Sequence, residues 1–146
     1  MGVQVAKDPA GALTEGGGMS IQLPRPELKC FDDAMRLPFQ EVARRLRGLL
    51  GARLVAYIGS VRETRAVRQW GEGRRPGKDV ETRLRHAYAI AQCIADADGA
   101  ETAQAWFQGL NPMLDDVSPA RLLREGDLAV VVPAVRTAQR QFLANG

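Results

Sequence analysis

The sequence predicts an all-α fold: a helix-turn-helix N-terminal part joined by a long helix to a small helical C-terminal part. Three observations carry this. The chain of 146 residues is 45% hydrophobic but only 5% aromatic, so its core must be aliphatic and rich in alanine, a helix former. Apolar residues recur at spacings of three and four through most of the chain after residue 36. No segment alternates as a strand would, and no internal repeat is visible.

The first 33 residues hold Pro9, Gly11, the run Gly16-Gly17-Gly18, Pro24 and Pro26, with hydrophobics scattered without a period. They read as a flexible tail, in which Met19 is an alternative start. The next unit spans 34–79. Its first helix is expected from Leu37 to Leu50, with Pro38 at the first helical position. Phe39, Val42, Ala43, Leu46, Leu49 and Leu50 share one face of it, and Gly51 supplies a left-handed end. A short helix over Ala52–Ile58 follows, with Leu54, Val55 and Ile58 inward and Gly59 as its end.

Ser60 and Glu63 then fit a capping box, Ser-x-x-Glu, which starts a third helix over Val61–Trp70. One helix ending and another starting within about two residues forces a sharp angle, as in a helix-turn-helix. Ala66, Val67 and Trp70 face inward, leaving Arg62, Arg65, Arg68 and Gln69 on other faces. Arginine and glutamine suit the edges of guanine and adenine, and Arg74, Arg75 and Lys78 on the glycine-broken loop suit phosphates. The charge pattern points the same way. Arg44 to Lys78 holds ten basic residues against two acids, a balance of +8, whereas Asp96 to Asp127 holds seven acids against two arginines, a balance of −5. Net charge over the chain is only +3, so it is this polarity that favours a phosphate polymer at one end.

The third unit spans 80–146. A long helix from Val80 to Asp98, capped by Asp79, carries a stripe of Leu84, Ala87, Tyr88, Ala91, Ile94 and Ala95. His86 lies off the stripe, as a surface or structural residue, and Cys93 serves packing. A fifth helix over Glu101–Leu110 turns Ala103, Trp106 and Phe107 or Leu110 inward and is broken at Asn111-Pro112. Ser118 caps and Pro119 opens a short sixth helix, with Leu122 and Leu123 inward and Gly126 as its end. The last helix, Asp127–Ala144, aligns Leu128, Val131, Val132, Val135, Ala138 and Phe142. Pro133 is tolerated in a first turn but kinks a helix already under way.

Several function classes are disfavoured. Two cysteines make no disulfide framework, one histidine makes no metal site, and no nucleophile–base pair or phosphate loop is visible, so the chain reads as a non-enzyme without cofactor. No apolar run approaches the ~20 residues of a membrane span, and no secretion signal opens the chain, so a cytoplasmic location is expected.

The stretch from Ala105 to Gly126, AWFQGLNPMLDDVSPARLLREG, resembles the toxin-binding domain of the Xre/MbcA/ParS antitoxin family. Trp106, Asn111, Pro112, Leu114, Ser118, Pro119, Leu122 and Leu123 match its pattern in order and spacing. The departures are Asp115-Asp116, where the family often carries glycine, and a turn before Ala66 longer than in the usual Xre repressor. The resemblance covers about Val80 to Gly146, and more weakly the helix-turn-helix. It implies an antitoxin that forms homodimers, binds and sterically inhibits a RES-domain toxin that destroys NAD, and binds operator DNA to repress its own operon. Candidates for toxin contact are Arg121, Arg124, Arg136 and Arg140, whose cationic side chains suit a pocket built for the phosphates of NAD. The alternative is a stand-alone transcriptional regulator that keeps the domain without a toxin.

Overall fold

Eight helices and one short 3-10 turn make up the computed structural model, which describes residues 25–145. They are α1 (Arg25–Arg36), α2 (Phe39–Leu50), α3 (Ala52–Ile58), α4 (Thr64–Gly71), α5 (Lys78–Asp98), α6 (Ala100–Gln108), the 3-10 turn (Pro112–Leu114), α7 (Pro119–Glu125) and α8 (Leu128–Asn145). Among the described residues the only β-type pairing is an isolated bridge between Asn111 and Val117. The all-α class is therefore observed. The tail expected before Arg25, with its glycine run and Met19, lies outside the described residues.

Helix α5 is the axis of the fold. It packs against α1, α2, α6 and α8, and buries Leu84, Ala87, Tyr88, Ala89, Ile90, Ala91, Cys93 and Ile94. The stripe expected from the sequence is thus only part of its buried surface. A helix enclosed by neighbours on several sides has no need of a polar face, and its alanines let those neighbours approach closely. The buried cluster runs without a break across the 79/80 boundary, from Phe39 and Leu46 to Leu123 and Val135.

The sequence reading differs from the structure at five places. Residues 25–33, assigned to the tail, begin helix α1, which packs along α5. Its inward stripe is Glu27, Cys30, Phe31 and Ala34, a helical spacing that the prolines on either side obscured. Arg85 of α5 closes its end by donating to the carbonyls of Ala34 at 2.9 Å and Leu37 at 2.7 Å.

The second difference is the capping box. Ser60 does not cap the following helix, because it ends the preceding one. Its φ is +59°, its N–H donates to the Tyr57 carbonyl, and the Val61 N–H donates to the Ala56 carbonyl. That pair of bonds is the Schellman closure, with serine where glycine is usual. Helix α4 consequently starts at Thr64, not Val61, and Glu63 precedes it without a side-chain cap.

Third, Pro38 and Asp79 shift by a residue or two in role. Pro38 precedes α2 with ψ 143°, outside the helix, and Asp79 lies inside the first turn of α5 behind Gly77. There its charge faces the positive end of the helix dipole. Fourth, Gly51 has a positive φ but an extended ψ of 152°, so it redirects the chain from α2 to α3 without a left-handed helical end. Fifth, Leu110 lies beyond α6 and is 75% exposed, while Ala103 and Phe107 take the buried positions.

Helix α8 passes through Pro133, which stands in its second turn, and the ladder bond lost there does not interrupt it. The Asp127 side chain caps its start by accepting from the Ala129 N–H at 3.1 Å.

Candidate functional site

Two surfaces collect the residues singled out in the sequence. The first surrounds α4. Val67 and Trp70 are buried and Ala66 is half-buried, which turns Arg65 and Arg68 outward, with Arg62 exposed on the turn before them. Trp70 stands edge-on to Phe39 at 6.3 Å and presses on Gly59, where a Cβ would meet its ring at 3.0 Å. A larger residue at 59 would therefore require the Trp70 ring to shift by a few tenths of an ångström. The far end of α4 is tied to α2: Arg44 and Gln40 both donate to the Gly71 carbonyl, at 2.7 and 3.2 Å.

Not every predicted DNA contact on this surface is equally free. Arg68 pairs with Glu72 at 3.2 Å, and Arg65 makes a long pair with Glu63 at 3.7 Å. These are exposed pairs, worth little and readily exchanged for another anion. Gln69 is half-buried and accepts from Arg74 Nη1 at 3.4 Å, so it serves the loop rather than projecting outward. Arg75 donates to Glu81 at 2.6 Å. Burial works against the charged form of Glu81, but hydrogen bonds from Arg75 and Arg85 outweigh it and hold the carboxyl below its usual range. Lys78 is exposed at the start of α5.

The second surface is the motif from Trp106 to Leu123. Asn111 Oδ1 accepts from the Met113 N–H at 2.9 Å, and Ser118 Oγ accepts from the Arg121 N–H at 3.2 Å. Asp115 and Asp116 both take left-handed conformations, φ 57° and 61°. Aspartate tolerates that region better than most residues, which is how the chain turns here without glycine. Leu114, Pro119 and Leu123 are buried, with Leu122 half-buried, so these motif residues hold the turn in shape.

Trp106 packs against Phe107 and against Phe142 of α8. Beside them an open groove of about 350 Å³ is lined by Trp106, Leu110, Pro112, Met113 and Phe142. Leu110 and Met113, 75% and 51% exposed, form its rim.

The four arginines proposed for toxin contact do not share one surface. Arg121 is exposed and pairs with Glu125 at 3.1 Å. Arg124 donates to the Tyr57 carbonyl at 2.7 Å and lies 4.6 Å over the Tyr57 ring. Arg136 and Arg140 converge on the buried Glu27, at 2.9 Å each. Their charge is spent inside the molecule, fastening α8 to α1. Arg136 also lies over the Phe31 ring at 4.7 Å, and its charge, after burial, helps hold the His86 imidazole below its ordinary range.

Sequence reading missed Glu27, Phe31, Arg85 and Arg53. Glu27 gave no signal, because its partners lie 109 and 113 residues away. Cys30 and Cys93 are free and buried, and a hydrogen bond that the Cys30 thiol donates toward the Cys93 sulfur, together with burial, pushes the Cys30 thiol up. Among the described residues no group of three metal-ligating side chains is present, and no helix is long and apolar enough to cross a membrane. No family model matches the chain, and no curated protein or solved structure is significantly similar to it.

Proposed function

We propose that the chain is the antitoxin of a type II toxin–antitoxin module, which binds and sterically inhibits a RES-domain, NAD-degrading toxin. The observation that carries this reading is the groove beside the motif. Two large apolar side chains, Leu110 and Met113, stand exposed on a turn fixed by Asn111, Ser118 and buried leucines. Exposed apolar groups on a rigid support are the usual form of a protein-binding anchor. The likeness of Ala105–Gly126 to the family's toxin-binding domain supplies the partner's identity.

In this reading the C-terminal part covers the toxin's substrate pocket, and Arg121, exposed and held only in a surface pair with Glu125, is the candidate arginine that reaches it. Arg136 and Arg140 hold the protein's own helices together. The test is direct association: the purified chain mixed with the RES-type toxin of its own locus should co-elute on size exclusion at micromolar concentration. Separate elution of the two proteins, each folded, would falsify the assignment.

The exposed arginines of α4 favour a second activity, operator binding by a helix-turn-helix as a homodimer, through which the antitoxin represses its own operon. Arg65→Ala and Arg68→Ala should each weaken binding to upstream DNA and reduce its salt dependence by about one counterion. Unchanged affinity in both variants would remove α4 as the DNA-reading element. Upstream DNA binding by a chain with no toxin partner would instead identify the stand-alone regulator.

A further inference from the structure

The turn between α3 and α4 encloses a concave surface of about 640 Å³ whose wall includes Arg53, Arg62, Arg65, Arg124 and Tyr57. Sequence reading placed Arg62 and Arg65 with DNA and Arg124 with the toxin, and Arg53 with neither. We propose that this concavity is a binding site for a phosphate group, assembled from both halves of the chain.

Four observations converge. Four arginines meet a single acid there, Glu63. The one ion pair of that acid within the concavity, to Arg65, is long at 3.7 Å and exposed on both sides, so an incoming oxyanion displaces it at little cost. The first turn of α4 opens onto the same space: Thr64 lines it, and no side chain caps the helix start. Backbone N–H groups and a positive helix end therefore add to the guanidiniums. Arg124 is already in place, because the Tyr57 carbonyl and ring hold its guanidinium before any ligand arrives. A prepositioned planar fork loses less freedom on binding than a mobile lysine does, and it matches the spacing of phosphate oxygens.

The phosphate has two sources of identical chemistry, a nucleic-acid backbone or a free phosphate compound. The first extends the DNA-binding half of the proposed function; the pocket itself does not depend on it. Because Arg124 follows the motif in α7, a phosphate held here also ties the α3–α4 turn to the partner-binding half of the chain.

The test uses the full chain, isotopically labelled, titrated with pyrophosphate and with a short mixed-sequence DNA duplex at constant ionic strength. Pyrophosphate should move the amide resonances of Thr64 and Arg65. Arg53→Ala and Arg124→Ala should each weaken binding about fivefold, whereas Arg36→Ala, the same charge change at the exposed end of α1, should alter it less than about twofold. Arg53 is exposed, so its variant separates lost binding from lost folding. If both ligands show this pattern, the site takes backbone phosphate. If only pyrophosphate does, the site stands with a free phosphate as its ligand and the operator reading of α4 is weakened. No movement of Thr64 or Arg65, or equal losses in all three variants, would overturn the pocket.

Discussion

At the α3–α4 end, Arg62, Arg65 and Arg68 stand exposed around a helix anchored by one buried tryptophan. At the α1–α8 end, Arg136 and Arg140 converge on one buried carboxylate, Glu27. Both ends look alike in sequence, as arginines three or four apart on a helix. What separates them is whether an acid from a distant segment arrives to claim the charge. At the first end the anions are neighbours in the chain, held in long or exposed pairs, and are exchangeable. At the second the anion is 7% exposed, and its two partners lie on the last helix. The first set of cations is available to a ligand, and the second is part of the framework.

The largest expected effect breaks the exposed end from beneath. Trp70→Ala removes the anchor of α4 and should cost about 3 to 5 kcal/mol in urea unfolding. A loss below about 1 kcal/mol would mean that α4 is held by something other than this ring.

Breaking the buried end should cost less. Glu27→Ala strips two guanidiniums of their partner, but Arg140 is 39% exposed and can turn to water. The expected destabilisation is about 2 kcal/mol, below the 3 to 5 of a wholly buried pair. A double-mutant cycle with Arg136→Ala should show coupling between the two sites, and strict additivity would dissolve the clamp.

The smallest effect is a pH dependence at the same end. Burial first, and the Arg136 charge second, lower the His86 pKa in the folded state. The folded protein therefore binds fewer protons than the unfolded chain, so this contribution is fully present above the unfolded value of about 6.5 and is lost as pH falls through the folded one. Thermal midpoints should drop between neutral and mildly acidic pH, and His86→Gln should flatten that drop. Glu81 acts in the same direction, since its pKa is also lowered, but only near the lower carboxylate range. An unchanged slope in His86→Gln would assign the effect elsewhere.

Local signals made much of this legible. The apolar periods of α2, α3 and α8, the Ser118 cap and the Pro119 start are properties of a few adjacent residues, and they are found where the sequence put them. The errors came where two local rules competed or where the deciding partner was remote. Ser60 satisfied the capping rule for one helix but was used by the Schellman closure of another. Helix α1 hid behind Pro26, although its stripe of Glu27, Cys30, Phe31 and Ala34 has helical spacing. At the candidate sites, the arginines of α4 were legible because their exposure follows from the burial of Val67 and Trp70. The roles of Arg124, Arg136 and Arg140 were not, since Tyr57 and Glu27 lie 67 to 113 residues away.

Partner binding at the groove is tested most directly by the NAD content of cells that co-express the chain with the RES-type toxin of its locus. Leu110→Glu places a charge on the exposed rim without disturbing a buried contact, since Leu110 is 75% exposed. The wild-type chain should hold NAD near the level of toxin-free cells, and Leu110→Glu should let it fall while remaining folded and abundant. Equal protection by both chains would contradict the groove as the binding surface, and depletion of NAD with both would contradict the antitoxin reading itself.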